Sequence, residues 1–383
     1  MRRKKIAVLG ATGSIGTTTL AVLRDLKEEY RVFSMSAHRN MELFSRQIRE
    51  FAPDMVAVTY AKSAGELDCG SAELFTGQQG LLQICEGADL VILGIVGIAG
   101  LPVFEYCLRA GIPVALATKE AMVYGGRLAR ELMEQTGTPV LPLDSELSAI
   151  FQCLRGNEQC PPEEIFLTAS GGPFRTWTLE QIRGATLEQA LKHPNWSMGE
   201  KITIDSATMA NKGLEVMETR WMFDVDPKKI TVVVHPESIV HSAVRFADNS
   251  VMAQMGVADM KLPIAYALGY PARRKNSVER LDFFKMGALH FEQPDLKKFP
   301  CLALALEATK GDGSAQMIFN AANDVAVELF RLGGITFWQI SQVIAQAMDH
   351  FAGIRAHSFG EIYQINEQIK AYVWQRHAGN AGK

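Results

Sequence analysis

Residues 6–16 read IAVLGATGSIG, a short apolar run followed by a glycine-rich turn. The run predicts a buried β-strand, and the spacing of apolar residues from Ser14 to Leu26 predicts a helix directly after the turn. In such a unit glycine lets the backbone approach a pyrophosphate, and the helix N-terminus supplies free N–H donors. Tight turns need glycine for steric reasons alone, so it is the strand–turn–helix placement that predicts dinucleotide binding.

Strand and helix signals alternate over roughly the first 140 residues. An amphipathic helix is predicted over 40–51, and further apolar runs predict strands at 31–37, 53–59, 90–96 and 113–118. Continuously apolar strands separated by helices are typical of a parallel sheet covered on both faces. We therefore predict an α/β fold whose N-terminal domain, residues 1–143, is a Rossmann-like doubly wound parallel sheet.

The remaining sequence predicts a central α+β catalytic domain over residues 144–270, a linker over 271–300 and a C-terminal α-helical bundle over 301–383. The central domain has predicted strands at 165–170, 201–205 and 230–236 and a hairpin across 240–255. Candidate helices of the bundle span 302–310, 315–332, 336–351 and 358–376. Thr336 with Gln339, and Ser358 with Glu361, have the form of capping boxes.

Charge and cysteine usage exclude several classes of protein. Lys plus Arg number 39 against 42 Asp plus Glu in 383 residues, so no net positive charge indicates a nucleic acid or an anionic membrane as partner. The six cysteines form no CxxC pair, which favours reduced thiols. The longest apolar stretch, 88–101, is too short to span a bilayer, and the first residues lack the pattern of a signal peptide. We expect a cytoplasmic protein.

The end of the second predicted strand bears on which dinucleotide binds. NAD-binding proteins usually carry an acid there, whereas this chain has Ser36-Ala-His38-Arg39-Asn40. A carboxylate would repel a 2′-phosphate, and Arg39 can pair with one. The segment therefore favours NADPH over NADH; the alternative is that His38 and Arg39 belong to an ordinary solvated loop.

Asp144-Ser145-Glu146 ends a short apolar run with two carboxylates two residues apart. If the segment is extended, both side chains lie on one face, where hard oxygen ligands suit Mg²⁺ or Mn²⁺ rather than zinc. The alternative is an ordinary helix start, with an N-capping aspartate and an acid in the first turn.

A third carboxylate lies in the segment from Asp205 to Glu215. We expect Asp205 or Ser206 to begin a helix on which Asn211, Lys212 and Glu215 share one face. An amide, an ammonium and a hydroxyl beside a metal ligand are the groups that a phosphorylated substrate requires. A surface Lys–Glu pair is the alternative, and Glu218 competes for the role of ligand.

Two loops complete the candidate site. Residues 170–174, Ser-Gly-Gly-Pro-Phe, follow a predicted strand and could cradle an anion with a hydroxyl and backbone N–H groups; a plain tight turn is the alternative. Residues 193–199, His-Pro-Asn-Trp-Ser-Met-Gly, could form a lid that excludes water, unless Trp196 simply packs in the core.

Six segments together make the sequence recognisable. They are GATGSIG (10–16), LDSE (143–146), ASGGPF (169–174), HPNWSMGEKITIDSATMANKGLE (193–215), HPESIVHS (235–242) and NAANDVAVELF (320–330). In this order, from about residue 6 to about residue 330, the chain resembles the 1-deoxy-D-xylulose 5-phosphate reductoisomerase family. The segment 193–215 is long and highly specific.

The resemblance implies an enzyme of the non-mevalonate (MEP) isoprenoid pathway. It would be a homodimer that uses NADPH and Mg²⁺, Mn²⁺ or Co²⁺ to convert 1-deoxy-D-xylulose 5-phosphate, a small phosphorylated sugar, into 2-C-methyl-D-erythritol 4-phosphate. The metal ligands implied are Asp144, Glu146 and Glu215. The residues implied in substrate binding are Lys119, Ser145, Glu146, Ser170, His193, Trp196, Ser206, Asn211, Lys212 and Glu215, of which Lys119, Glu146, His193 and Glu215 would be catalytic. The residues implied in cofactor binding are Thr12, Gly13, Ser14, Ile15, Arg39, Asn40, Glu120 and Gly199.

The sequence departs from the family pattern in three places near the cofactor. Thr118-Lys119-Glu120 stands where Asn-Lys-Glu is usual, and Ala11 stands in the glycine turn where Ser is common. The second-strand loop has His38-Arg39 where Gly-Lys is also found. Two other functions share the nucleotide turn. One is a plain NADP-dependent dehydrogenase, in which Asp144, Glu146 and Glu215 would have no function. The other is an inactive NADPH-binding regulator, against which the three carboxylates and Lys212 argue.

Overall fold

The structure is a computed structural model that describes residues 2–196 and 199–377. It divides into two compact units. The first comprises the described residues up to Ala121, together with Glu131–Ser148 and Asp259–Glu279. The second comprises Met122–Arg130, Ala149–Ala258 and the described residues from Arg280 onward. The three domains with a linker stay a prediction.

Eleven strands and sixteen α-helices are assigned within the described residues. The strands are β1 (Lys4–Leu9), β2 (Tyr30–Ala37), β3 (Met55–Val58), β4 (Glu73–Thr76), β5 (Leu90–Leu93), β6 (Val114–Leu116), β7 (Val140–Pro142), β8 (Glu164–Ala169), β9 (Ile230–Val234), β10 (Val240–Arg245) and β11 (Val251–Met255). The helices are α1 (Ser14–Asp25), α2 (Met41–Phe51), α3 (Gly77–Gln83), α4 (Leu101–Ala110), α5 (Lys119–Thr136), α6 (Ser145–Leu154), α7 (Leu179–Arg183), α8 (Leu187–Ala190), α9 (Glu200–Ala207), α10 (Ala210–Phe223), α11 (Lys261–Gly269), α12 (Phe283–Met286), α13 (Pro300–Thr309), α14 (Ser314–Arg331), α15 (Gln339–His350) and α16 (Phe359–His377).

The first unit contains a seven-stranded sheet with the order β4-β3-β2-β1-β5-β6-β7, all pairs parallel. Residues Ile6–Leu9 of β1 are fully buried, as expected for a strand covered on both faces. The predicted doubly wound sheet is therefore confirmed. The sequence did not predict β4 or β7: β4 is a mostly exposed edge strand, and β7 ends in a proline and is followed closely by Asp144 and the helix that starts at Ser145.

The strand order reverses its direction at β1, which pairs with β2 on one side and β5 on the other. Open parallel sheets bind ligands beyond the carboxyl ends of their strands at such a reversal. The glycine turn that follows β1 occupies this position. A Cβ at Gly16 would lie 2.2 Å from the carbonyl oxygen of Gly10, so only glycine lets α1 approach the turn this closely.

The second unit contains a four-stranded sheet with the order β11-β10-β8-β9. β8 pairs with β9 in parallel, whereas the other two pairings are antiparallel. β10 and β11 form the predicted hairpin, and Asn249 takes the left-handed conformation in its turn, at φ 65°. Loops from the carboxyl ends of β8 and β9 carry Ser170 and His235.

One predicted strand is wrong: residues 201–205 belong to helix α9. The alternation of Ile202 and Ile204 with polar residues resembles a strand, but Thr203, Ile204 and Asp205 are all buried. A carboxylate in the core needs partners, and the helix supplies one by placing Lys201 four residues before Asp205. The predicted helix start at Asp205 or Ser206 is also wrong, because α10 begins at Ala210 after a left-handed Met209.

The four predicted C-terminal helices are confirmed as α13 to α16. Thr336 and Gln339 make both hydrogen bonds of a capping box. Ser358 accepts from the N–H of Glu361 as predicted, but the Glu361 carboxylate accepts from the N–H of His357 instead of Ser358. No helix within residues 2–196 and 199–377 is long and apolar enough to cross a bilayer, and all six cysteines are free thiols.

Candidate active site

The nucleotide turn of the first unit presents the N-terminus of α1 without a side-chain cap. Its N-cap residue, Gly13, makes no side-chain hydrogen bond and is exposed together with Ser14. The turn is tied to β2, since the Gly10 N–H donates to Ser36 Oγ at 3.1 Å and the Ala11 N–H to the Ser36 carbonyl at 2.8 Å. Uncapped N–H groups on a rigid turn can bind a phosphate, with Thr12 and Ile15 beside them.

Arg39 lies just beyond the end of β2, where its guanidinium stacks over the ring of Tyr60 at 5.1 Å. His38 is exposed, and its Nδ1 lies 2.7 Å from Oγ1 of Thr59, the residue that follows β3. Asn40 caps α2 by accepting from the Leu43 N–H at 3.2 Å. The residues at this strand end thus present an exposed, stacked cation and no acid.

A buried ion pair joins the start of α5 to the residue that precedes α6. Lys119 is 5% exposed, and its Nζ lies 2.6 Å from Asp144 Oδ2. Thr118 donates its hydroxyl to the Ile95 carbonyl at 2.6 Å. Thr118 therefore anchors the start of α5, where Lys119 and Glu120 form the first turn.

The two carboxylates at 144 and 146 lie at a helix start. The Asp144 carbonyl accepts from the Ser148 N–H at 2.8 Å, and α6 begins at Ser145. The segment is therefore not extended, and the same-face argument from strand geometry is wrong for it. Ser145 donates to Glu146 Oε2 at 2.6 Å, which orients the Glu146 carboxylate within the first turn.

In the second unit, α10 presents a compact polar cluster. Asn211 Nδ2 donates to Glu215 Oε1 at 2.6 Å, and Lys212 Nζ donates to Glu215 Oε2. Lys212 is 4% exposed and Glu215 only 2%, so a surface ion pair is excluded. Two buried charges are costly to desolvate, which makes such a pair weak evidence for stability and favours a functional role. Glu218 is also buried one turn further along α10.

The Ser170 loop lies directly against Ser206. Gly172 has φ +66°, and a Cβ there would lie 2.6 Å from the Ser206 carbonyl oxygen, so glycine is required at this approach. The Gly172 N–H donates to Ser170 Oγ at 3.2 Å. This contact brings together two of the residues that the sequence analysis predicted to bind a phosphate.

His193 orients the hydroxyl of Ser170. Its Nδ1 accepts from the N–H groups of Asn195 (3.2 Å) and Trp196 (3.0 Å), so Nε2 must carry the ring proton. That N–H donates to Ser170 Oγ, 3.1 Å away. Ser170 Oγ thus accepts from His193 and from Gly172, which leaves its own proton to donate to an anion. Burial lowers the pKa of His193 from 6.5 and favours this neutral form.

The sequence analysis missed the residues that support this loop. Asn195 Nδ2 donates to the Pro236 carbonyl at 2.7 Å and to Ser238 Oγ at 2.9 Å. His235 is fully buried; its Nε2 accepts from the N–H groups of Ile239 and Val240, both at 3.2 Å. The repeated His-Pro dipeptide, at 193–194 and 235–236, was the available signal.

Trp196 is partly buried, and its ring centroid lies 6.5 Å from that of His241. Ser197 and Met198 of the predicted lid lie outside the described residues, and Gly199 is the N-cap of α9. A cavity of about 520 Å³ opens beside Ser170 and Pro236, with Arg175 and Lys192 in its lining. It is large enough for a small phosphorylated molecule.

The oxygen-rich chemistry of the candidate carboxylates suits a hard divalent cation. Among the residues that the structure describes, no three His, Cys, Asp or Glu side chains are grouped tightly enough to hold a metal ion. Asp144 and Glu215 are each held instead by an ammonium group, from Lys119 and Lys212 respectively.

Comparison with known proteins decides the family. The model of 1-deoxy-D-xylulose 5-phosphate reductoisomerase matches residues 6–126, and models of the C-terminal domains of that enzyme match residues 140–223 and 255–372. The chain belongs to the 1-deoxy-D-xylulose 5-phosphate reductoisomerase family. The reductoisomerase of Chloroherpeton thalassium is 48% identical over 379 residues, covering 97% of this chain and 98% of that protein. That of Thermoanaerobacter sp. (strain X514) is 44% identical, covering 98% and 99%.

Solved reductoisomerase structures have the same fold. The enzyme of Zymomonas mobilis in complex with NADPH matches with a TM-score of 0.92 at 35% identity, covering 99% of this chain and all of that one. A second reductoisomerase, in complex with NADPH, fosmidomycin and magnesium, matches with a TM-score of 0.92 at 36% identity over 98% of both chains. The resemblance predicted from the six motifs is confirmed, and the alternative of a plain dehydrogenase is wrong.

The tautomer of His193 predicts a pH-dependent contribution to stability. Because its pKa is lower in the folded state, that state binds fewer protons, and the contribution is complete above about pH 6.5 and lost as the pH falls through the folded-state pKa. His193→Ala should lower the free energy of unfolding by about 1–3 kcal/mol at pH 7.5 through its lost hydrogen bonds. Urea titrations from pH 5 to pH 8 should show this difference shrinking below pH 6.5.

Asn195→Ala is the matched control, because it weakens the same loop without removing a titrating group. Its cost should stay constant over the same pH range. A cost of His193→Ala that is equally flat would contradict the assigned tautomer.

Proposed function

We propose that this chain converts 1-deoxy-D-xylulose 5-phosphate into 2-C-methyl-D-erythritol 4-phosphate, with NADPH and Mg²⁺ or Mn²⁺, as a step of the non-mevalonate isoprenoid pathway. Co²⁺ is an alternative metal. The observation that carries the proposal is the buried Glu215, held by Asn211 and Lys212 on α10. A plain dehydrogenase has no use for a buried carboxylate on the helix that carries its anion-binding amide and ammonium.

NADPH is assigned to the turn after β1 and to the end of β2. The pyrophosphate would bind the uncapped N–H groups at the start of α1, and Arg39 would pair with the 2′-phosphate while stacked on Tyr60. The cofactor residues proposed are Thr12, Gly13, Ser14, Ile15, Arg39, Asn40, Glu120 and Gly199.

The proposed metal ligands are Asp144, Glu146 and Glu215. A bound divalent cation supplies Lewis acidity for carbon–carbon bond cleavage and re-formation near neutral pH. Two of these carboxylates already face an ammonium group, because Lys119 pairs with Asp144 and Lys212 with Glu215. Ser145 holds Glu146 in a single orientation through its hydroxyl.

The substrate phosphate is assigned to Ser170, Ser206, Asn211 and Lys212, and Lys119 and Ser145 are proposed as further contacts of the substrate. Because Ser170 Oγ accepts a hydrogen bond from His193, the Ser170 hydroxyl proton is free to be donated to the anion. Phosphate binding is remote from the chemistry, so its energy can be realised in the transition state. Trp196 would cover the site and keep water from the aldehyde that accepts the hydride.

A cytoplasmic homodimer completes the proposal. β11 is an edge strand of its sheet in the described part of the chain, and it exposes 51% of Val251 and 44% of Met252. Exposed apolar edge strands tend to pair with another chain. Sedimentation of the purified protein, compared with a Met252→Lys variant, would test this association.

The activity is tested by mixing the purified protein with NADPH, Mg²⁺ and 1-deoxy-D-xylulose 5-phosphate. We expect loss of the nicotinamide absorbance that needs the sugar phosphate and stops when EDTA is added. NADPH binding without turnover would favour the inactive regulator, and oxidation that resists the chelator would remove the metal from the reaction.

Glu215→Gln should lower kcat roughly 100-fold or more, because it removes a charge that acts in the transition state. The affinity for NADPH, measured by fluorescence titration, should be unchanged. Glu307→Gln is the control, since Glu307 also pairs with a lysine three residues away, Lys310, but on an exposed surface. Unchanged turnover in Glu215→Gln would remove Glu215 from the metal site.

Arg39→Ala should raise the KM for NADPH about 10- to 100-fold through loss of a charge-assisted hydrogen bond to the 2′-phosphate. The KM for the sugar phosphate should change little. Arg46→Ala is a suitable control, because Arg46 is an exposed arginine of α2 that pairs with Glu42. Equal changes in both KM values, measured by steady-state kinetics, would argue against a 2′-phosphate contact.

A further inference from the structure

Asp205 is a buried carboxylate that none of the roles proposed above uses, and it stands directly before Ser206. It is 2% exposed. Its Oδ1 accepts from Asn323 Nδ2 at 2.8 Å and its Oδ2 from Lys201 Nζ at 2.8 Å. Both oxygens are therefore satisfied, one from α14 of the C-terminal bundle and one from α9 itself.

The contacts of Asp205 continue as a chain of alternating charges. Lys201 Nζ also lies 3.1 Å from Asp324 Oδ1, and Lys370 Nζ lies 3.0 Å from Asp324 Oδ2. Burial alone would raise the pKa of Asp324, but the ammonium groups of Lys201 and Lys370 outweigh it and hold that pKa below its usual value. Two acids and two ammonium groups thus form a neutral row that joins α9, α14 and α16.

The end of α9 that carries Asp205 is coupled to Ser170 by close packing. The Ser206 carbonyl leaves no room for a Cβ at Gly172, and the Gly172 N–H donates to Ser170 Oγ. A shift of α9 by a few tenths of an ångström would therefore displace the Ser170 loop, because close-packed atoms transmit strain.

The same segment is coupled to α10. Thr208 Oγ1 donates to the Asp205 carbonyl at 3.2 Å and accepts from the Ala210 N–H at 3.2 Å. Ala210 is the first residue of α10, and Asn211 and Lys212 follow it. Asp205 therefore lies near the junction of α9 and α10, which carry three of the four proposed phosphate contacts. The loop that carries the fourth, Ser170, packs against the end of α9.

We propose that Asp205 is a positioning residue for the substrate phosphate, and that the C-terminal bundle sets the geometry of the phosphate site through Asn323, Lys201, Asp324 and Lys370. The inference rests on the proposed function, because it takes Ser170, Ser206, Asn211 and Lys212 as the phosphate contacts. Asp205 acts through these residues and touches no substrate itself.

The first test is Asp205→Asn. This variant keeps the size of the side chain but replaces the carboxylate that Asn323 contacts with a second amide. We expect the KM for the sugar phosphate to rise at least about 10-fold, with the KM for NADPH within two-fold of the parent value. The competitive inhibition constant of inorganic phosphate should rise in parallel. A KM for the sugar phosphate that stays within two-fold would overturn the proposal.

The double variant Asp205→Asn/Asn323→Asp exchanges the carboxylate and the amide. It restores an amide–carboxylate pair and keeps two acids opposite two ammonium groups, so we expect at least three-fold recovery of the KM.

Val373→Ala is the control, since Val373 is fully buried in α16 and its truncation destabilises the bundle without touching the charged row. Val373→Ala should lower Tm with the KM within two-fold. If Val373→Ala and Asp205→Asn raised the KM equally at an equal loss of Tm, and the double variant did not recover, Asp205 would have a merely structural role.

Lys370→Gln keeps the test available if Asp205→Asn does not fold, because Lys370 is at the partly exposed end of the row. A two- to five-fold rise in the KM for the sugar phosphate is expected, and no rise would overturn the proposal. We expect inorganic phosphate to raise the Tm of the wild-type protein, and this measurement needs no turnover. If the wild type is inactive but Asp205→Asn abolishes this increase, the proposed function fails and the positioning role stands.

Discussion

A buried carboxylate remains ionised only if another group compensates its charge, and the regions around the candidate site are organised by that constraint. Asp144, Asp205 and Glu215 are each held by a lysine, and in each case one partner is at or near the start of a helix. Such pairs cost desolvation energy that a pair of apolar residues would not. Their presence is understandable if the carboxylates must be charged for chemistry or must hold neighbouring groups in one place.

Close backbone approaches provide the second constraint. Gly16 lets α1 reach the turn after β1, and Gly172 lets the Ser170 loop reach Ser206. In both places a Cβ would lie 2.6 Å or less from a carbonyl oxygen, so the backbone segments are in direct contact and cannot accept a side chain. The anion-binding groups on each turn therefore keep their positions before any ligand arrives, which lowers the entropic cost of binding. His193 adds to this order by deciding where the Ser170 proton points.

Most of the parallel sheet could be predicted because strands buried on both faces are apolar without interruption. The segment 201–205 could not, since Ile202 and Ile204 fit a strand and a helix equally well over so short a run. The helix pairs Lys201 with Asp205, and the other carboxylate oxygen of Asp205 accepts from Asn323, which lies 118 residues away in the sequence. Asp144 and Glu146 were singled out as candidate ligands by their residue types, and that role stays a prediction. Their backbone conformation was decided by the helix that starts at Ser145.

The sequence by itself determined the class of the fold, the nucleotide turn, the absence of an acid after β2 and, through six motifs, the family. These are local properties, carried by residue type and spacing within a few turns or strands. Only the tertiary structure decided the tautomer of His193, the support that His235 and Asn195 give the loop, and the charged row from Asp205 to Lys370. Each of these depends on donors and acceptors from distant segments, and no local pattern records which of them will meet in the core.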